Sequence, residues 1–169
     1  VISGALSSYS GTHRRFEIKG KVDDITVIDD YAHHPTEISA TLNTLHNYTH
    51  NNAWCVFQPH TYTRTKKLFQ KFVDAFENVD NLIITDIYAA REKDNGEIHS
   101  KDIVRALSEH GRKAIYISSF DEIVDYLIEH AKSGDVVITI GAGNVNEIGE
   151  KFIKAKTNIK NGKVISLTI

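Results

Sequence analysis

The chain has 169 residues, 41% of them hydrophobic and 25% charged, with a net charge of −2. This is the size and make-up of one globular domain with a substantial core, and the balanced charge argues against nucleic acid or an anionic membrane as the main partner. No stretch is apolar for long enough to span a bilayer, and the first residues lack the basic and apolar regions of a secretory signal, so a cytoplasmic location is expected.

Residues 1–12 are rich in Gly and Ser and begin without Met, as expected of a linker from a larger protein. Arg15 to Lys19 and Asp24 to Ile28 read as two strands about a turn at Gly20-Lys21. The second strand empties into Asp29-Asp30-Tyr31-Ala32-His33-His34, and Pro35 suits the first turn of a helix running to about His50 with Ile38, Leu42 and Leu45 on one face. Ala53 to Gln58 is a short apolar run, the mark of a strand buried on both faces; its cysteine, Cys55, reads as a small apolar residue. Pro59 to Thr65 follows, and then a helix carrying Leu68, Phe69, Phe72, Val73 and Phe76. Asn81 to Asp86 is a strand, and the polar stretch Ile87 to His99 is long enough to be a functional loop.

Ser100 suits the N-cap of a helix with Ile103, Val104 and Leu107. Lys113 to Ser118 is a strand, and Ser119 with Glu122 forms a capping box for a helix with Ile123, Val124, Leu127 and Ile128. Asp135 to Ile140 is the last core strand, and Gly141-Ala142-Gly143 turns the chain into a final helix. Residues 156–169 form a tail whose Asn161-Gly162 turn would permit a terminal hairpin or edge strand. The alternation defines an α/β fold, a Rossmann-like, mostly parallel sheet with helices on both faces and an N-terminal antiparallel hairpin strand. Gly141-x-Gly143 reaches Asn146 where a dinucleotide fingerprint needs a third glycine, and no Gly-x-x-x-x-Gly-Lys-Ser/Thr loop occurs.

Ligands of open α/β sheets sit beyond the carboxyl ends of the strands, which is where residues 29–37 and 58–65 fall. Arg64 offers a guanidinium for a carboxylate, or else an ordinary surface ion pair. His33 and His34 offer imidazoles for proton transfer, or else one of them bonds to backbone at the helix start. Asp30 offers a carboxylate that can accept hydrogen bonds from hydroxyls, or else caps the helix or forms an ion pair. Adjacent histidines at a helix start point in different directions, so no metal site is expected.

Three segments, Arg14-Arg15-Phe16-Glu17, Asp29 to Glu37, and Gln58-Pro59-His60-Thr61-Tyr62-Thr63-Arg64-Thr65, together resemble the C-terminal domain of the Mur ligase family, in its branch that joins L-alanine to UDP-N-acetylmuramate. The resemblance continues through Tyr88-Ala89-Ala90 and Gly134-Asp135 to Gly141-Ala142-Gly143. It implies that residues 13–155 are an amino-acid-binding domain. ATP and Mg2+ would serve the full-length enzyme from a missing central domain, and UDP-N-acetylmuramate would be recognised by a missing N-terminal one. The isolated chain is then expected to be inactive.

The resemblance assigns the carboxylate of L-alanine to Arg64 with help from His60; beside Tyr31, His33 and His34 are then placed to line the alanine subsite, where either would take the amine proton. It assigns the nucleotide ribose to Asp30 and the ATP phosphates to Arg15. Asp29 is expected to be structural and Arg14 solvated. Residues Tyr88 to Glu92 border the cleft with no catalytic role. Thr61 stands where the family usually has Arg, which leaves fewer cations for the carboxylate. A related muropeptide ligase, or a stand-alone module that binds an amino acid or nucleotide, would share these features.

Overall fold

A parallel sheet covered by helices on both sides needs strands without a polar face, and the short apolar runs of this chain meet that demand. The computed structural model describes residues 13–76 and 79–162; the expected linker, residues 1–12, and the end of the tail, residues 163–169, lie outside the described residues. The strands are β1 (Glu17–Val22), β2 (Ile25–Asp30), β3 (Ala53–Phe57), β4 (Asn81–Ile84), β5 (Ala114–Tyr116) and β6 (Val136–Ile140). The helices are α1 (Pro35–His46), α2 (Tyr62–Lys67), α3 (Phe69–Ala75), α4 (Ser100–Glu109), α5 (Phe120–His130) and α6 (Asn146–Lys160).

The sheet runs β1-β2-β6-β3-β4-β5, with β1 antiparallel to β2 and every other pairing parallel. Alternate residues of each central strand face opposite layers. Ile28, Cys55, Phe57, Ile84 and Ile138 pack under α1, α3 and α4, against Leu42, Phe72 and Leu107. Val27, Trp54, Val56, Ile83 and Val137 face α5 and α6, against Leu127, Ile148 and Phe152. Fully burying side chains of this size stabilises by roughly 1.5–3 kcal/mol each before entropy is counted. The expected fold class is therefore the observed one.

Several local expectations shift. The hairpin turns at Asp23-Asp24 rather than Gly20-Lys21, with φ of +48° and +64°, the signature of a two-residue turn whose twist suits the strands. Gly20 instead lies inside β1 at a break in register, under the Ile153 side chain of α6. Helix α1 stops at His46, where the N–H of Asn47 turns back to the Thr44 carbonyl and that of Tyr48 to the Leu45 carbonyl. The helix expected after Arg64 starts earlier, at Tyr62, and breaks at Leu68 into α2 and α3. After the break Phe72 and Phe76 reach Phe57, with ring centroids 5.6 and 5.0 Å away. His99, not Ser100, caps α4; the buried Ser100 hydroxyl donates to the Thr85 carbonyl at 2.6 Å and ties the helix to the end of β4. Residues 156–160 belong to α6, so they form no hairpin, and Asn161-Gly162 closes that helix.

The order of the strands creates the site. The chain leaves β2 for α1 on one face and leaves β6 for α6 on the other, and β3 lies beyond β6. The carboxyl ends of β2, β6 and β3 therefore open into one crevice.

Candidate functional site

Arg14 closes the floor of this crevice. Its Nε donates to Asp29 Oδ2 at 2.7 Å, and its Nη1 and Nη2 donate to the carbonyls of Gly143 and Gly141 at 3.0 and 2.8 Å. The guanidinium also lies 5.0 Å from the centroid of the Tyr31 ring. Arg14 is thus a built-in brace and not a solvated residue. Asp29 is the structural partner expected of it, buried and also held by the Thr139 hydroxyl at 2.7 Å.

Asp30 is engaged by the local backbone. Its carboxylate is buried, and its two oxygens accept the backbone N–H groups of Phe16 and Ala32, each at 2.8 Å. It fastens the start of β1 to the turn after β2. Arg15 is exposed, and it adds to the positive field at Glu37. The Glu37 carboxyl is pushed up by burial but ends below its ordinary value, because the N–H groups of His33 and His34 donate to it and His33 and Arg15 lie near.

The two histidines separate. His34 is the N-cap of α1: its Nδ1 accepts from the Thr36 N–H at 3.3 Å, and Glu37 closes the capping box. The backbone-bonded alternative holds for it. His33 instead turns into the crevice, with its ring centroid 5.5 Å from Tyr31 and 5.8 Å from His60. Its Nδ1 lies 3.0 Å from the Tyr31 carbonyl and 3.5 Å from Glu37 Oε2. Both neighbours are acceptors, so Nδ1 carries the hydrogen and the lone pair of the neutral ring sits on Nε2.

His60 comes from the turn after β3. Arg64 Nη1 donates to its Nδ1 at 3.1 Å, which places the hydrogen of a neutral ring on Nε2. Burial, then the positive charge of Arg64 and the nearness of His33, holds this imidazole below its usual pKa, while Glu92 pulls weakly the other way. Arg64 is half-buried, and among the described residues no carboxylate lies within ion-pair distance of it. A guanidinium resting on a neutral ring keeps its charge for an incoming anion.

Between His60 and Arg64, Thr61 adopts φ +67°, an outlier for a β-branched residue. Glu92 of the long loop clamps the segment by accepting from the Thr63 N–H at 2.9 Å and from the Thr63 hydroxyl. These bonds lower the Glu92 carboxyl. The structure thus brings together Tyr31, His33, His60 and Arg64, and leaves out His34, Asp30 and Arg15. It adds Tyr88, stacked on His60 at 5.6 Å and 19°, whose position after β4 was the available signal. A separate depression of about 670 Å³ lies beside α2 among Thr63, Lys66, Lys67, Glu92, Lys93 and Glu97, and none of Tyr31, His33, His60 and Arg64 lines it. Among the described residues no three His, Cys, Asp or Glu side chains are grouped to hold a metal ion, and no helix is long and apolar enough to cross a membrane.

A doubly wound sheet with polar side chains gathered at its switch point defines an α/β domain with a candidate ligand site. The family model described as Mur ligase, glutamate ligase domain, matches residues 14–143; the chain belongs to the Mur ligase family. It is similar to the UDP-N-acetylmuramate–L-alanine ligase of Caldanaerobacter subterraneus subsp. tengcongensis, with 54% identity over 88% of this chain and 32% of that protein. Among solved structures it is similar to the UDP-N-acetylmuramate–alanine ligase of Thermotoga maritima, with TM-score 0.74 and 26% identity over 92% of this chain and 33% of that one. A murein peptide ligase from Psychrobacter arcticus matches equally, with TM-score 0.74 and 26% identity over 92% of this chain and 32% of that one. The chain spans about a third of the length of the curated relatives it matches.

Proposed function

We propose that this chain is the C-terminal, amino-acid-binding domain of an ATP-dependent ligase that joins L-alanine to UDP-N-acetylmuramate in the cytoplasm, in the synthesis of peptidoglycan precursors. The observation that carries this reading is Arg64, a half-buried guanidinium with no carboxylate partner among the described residues, held on neutral His60. In the reading, Arg64 takes the carboxylate of L-alanine, and His60 Nε2–H is a second donor beside it. Nε2 of His33 accepts a proton from the alanine ammonium, since only the free amine is nucleophilic. The amine nitrogen then attacks the acyl carbon of the UDP-N-acetylmuramoyl phosphate. The tetrahedral intermediate collapses to the amide as the C–O bond to phosphate breaks and phosphate leaves.

ATP and Mg2+ would be held by the central domain of the full-length enzyme, with ATP giving its γ-phosphoryl group to the UDP-N-acetylmuramate carboxylate and leaving as ADP. Arg15, exposed and near enough to Glu37 to lower its carboxyl, would reach the ATP phosphates when the domains close. Closure also keeps water from the acyl phosphate.

The test is Arg64→Ala in the full-length enzyme. Loss of a charge-assisted hydrogen bond, worth about 1.5–3 kcal/mol, raises the KM for alanine roughly 10- to 150-fold and leaves the KM for ATP unchanged. An unchanged alanine KM overturns the assignment. The likeness to the murein peptide ligase favours a second reading, attachment of a preformed peptide. Offering the intact enzyme L-alanine and L-alanyl peptides side by side separates the two.

A further inference from the structure

The geometry points to Tyr88 as a positioning residue that holds His60, and through it Arg64, in the conformation that receives the amino-acid carboxylate. This rests on the reading of Arg64 given above. His60 sits in an unusual backbone: the next residue, Thr61, has φ +67°, a conformation that costs of order 1–3 kcal/mol and persists only where its surroundings enforce it. Tyr88 provides that enforcement on both sides of His60. Its N–H donates to the Pro59 carbonyl at 2.8 Å, and its carbonyl accepts from the Thr61 N–H at 2.9 Å, forming an isolated parallel bridge between Tyr88 and His60. Its ring then stacks nearly flat on the imidazole. That leaves the in-plane direction free, which is where His60 Nδ1 meets Arg64 Nη1.

The ring itself is held from β6. A Cβ on Gly143 would lie 2.7 Å from Tyr88 Cγ and would also strike the Gln58 side chain, so glycine is required here by close approach and not by its φ. The Gly143 carbonyl is fixed in turn by Arg14 at 3.0 Å. A continuous line of contacts therefore runs from Arg14 through Gly143, Tyr88 and His60 to Arg64, across the ends of β2, β6, β4 and β3. The phenol oxygen of Tyr88 has no hydrogen bond to a described residue, so the flat ring and not the hydroxyl does the positioning. The groups that set the charge of His60 are Arg64, His33 and Glu92, none of which is Tyr88; its contribution is burial and alignment.

Two measurements test this. In the full-length enzyme, Tyr88→Leu and Tyr88→Ala raise the alanine KM about tenfold, the equivalent of one misaligned hydrogen bond, with kcat and the KM for ATP nearly unchanged, and Tyr88→Phe retains the alanine KM. Loss of alanine binding in Tyr88→Phe would mean that the hydroxyl touches substrate and would overturn the inference. In the 169-residue chain, NMR titration of His60 shows its pKa rising towards the ordinary value in Tyr88→Leu and staying low in Tyr88→Phe. A His60 titration unmoved by Tyr88→Leu sinks the positioning role whatever the enzyme's substrate. If His60 responds but alanine KM does not, the ring does not serve alanine binding and the inference also fails. An enzyme that does not use alanine at all would refute the proposed function alone, with the titration still deciding whether Tyr88 positions His60.

Discussion

Replacing Arg14 by Ala strands a buried charge, and the consequence can be worked out from the contacts. Asp29 has a side chain only 1% exposed, and without Arg14 it keeps, among the described residues, the Thr139 hydroxyl as its one side-chain donor. Breaking a buried ion pair by removing one partner typically costs about 3–5 kcal/mol, because the remaining charge stays desolvated. The Arg14 side chain is 15% exposed, so water enters part of the vacated space and the lower end of that range applies. The carbonyls of Gly141 and Gly143 also lose donors, but Gly143 is only half-buried and water can replace that bond. A loss of about 3 kcal/mol lowers Tm by roughly 6–12 °C for a domain of this size. Urea unfolding with an unchanged slope measures the loss directly. Arg14→Lys, one point charge in place of a fork, recovers part of it. Asp29→Asn on the Arg14→Ala background removes the stranded charge and regains stability. A cost below about 1 kcal/mol for Arg14→Ala, or no regain from Asp29→Asn, refutes the account of a desolvated pair at the floor of the crevice.

Three other outcomes are expected. Burial pushes the Cys55 thiol far up, so the folded chain resists thiol reagents at pH 8 and reacts once denaturant unfolds it; fast labelling without denaturant would contradict the packing of β3. Burial raises the Asp135 carboxyl, but hydrogen bonds from the Lys132 N–H, the Asn52 side chain and N–H, and Trp54 Nε1 outweigh it and leave the pKa low. The unfolded state then takes up the proton first as pH falls, so this stabilisation is complete above the unfolded value and drains away as pH drops from about 4 through the folded value. Asp135→Asn removes part of the acid slope of the urea midpoint, and an unaltered slope excludes this residue as its source. Thr61→Gly relieves the strained φ of +67° against the extra chain entropy of glycine, and raises stability by up to about 1 kcal/mol by thermal unfolding; a lower Tm would show that the Thr61 side chain repays its strain.

What was legible in the sequence follows from how local each cause is. Strands β3 and β6 announce themselves because each is an apolar run enclosed by helices on both sides, Ala53 to Phe57 and Val136 to Ile140. The helices that cover them declare their faces through residues such as Leu42, Phe72 and Leu127. The hairpin turn was misplaced because Gly20 is a stronger general turn signal than an Asp-Asp pair, although two positive φ values at Asp23 and Asp24 suit the strand twist better. The cap of α1 was open to misreading because His is not a preferred N-cap type; only the geometry shows its ring nitrogen taking the place of a Ser or Asp oxygen.

Arg14 was hidden for a different reason. Two of its acceptors, Gly141 and Gly143, lie more than 120 residues away in the chain, and no local pattern distinguishes such an arginine from a solvated one. The same distance hides the ring of Tyr88 from Gly143. The residue types of the site were therefore readable as two polar bursts at strand ends, whereas the division of labour among them was not. Within Asp29-Asp30 and His33-His34, neighbours of the same type take opposite parts: Asp29 faces the Arg14 brace while Asp30 receives backbone N–H groups, and His34 caps the helix while His33 faces the crevice. Successive residues leaving a strand point in different directions, so neighbours of one type take different partners: both aspartates serve the scaffold, whereas of the two histidines only His33 faces the crevice. That argument makes His33→Ala the substitution that should affect the proton step, and His34→Ala the one that should affect only the start of α1.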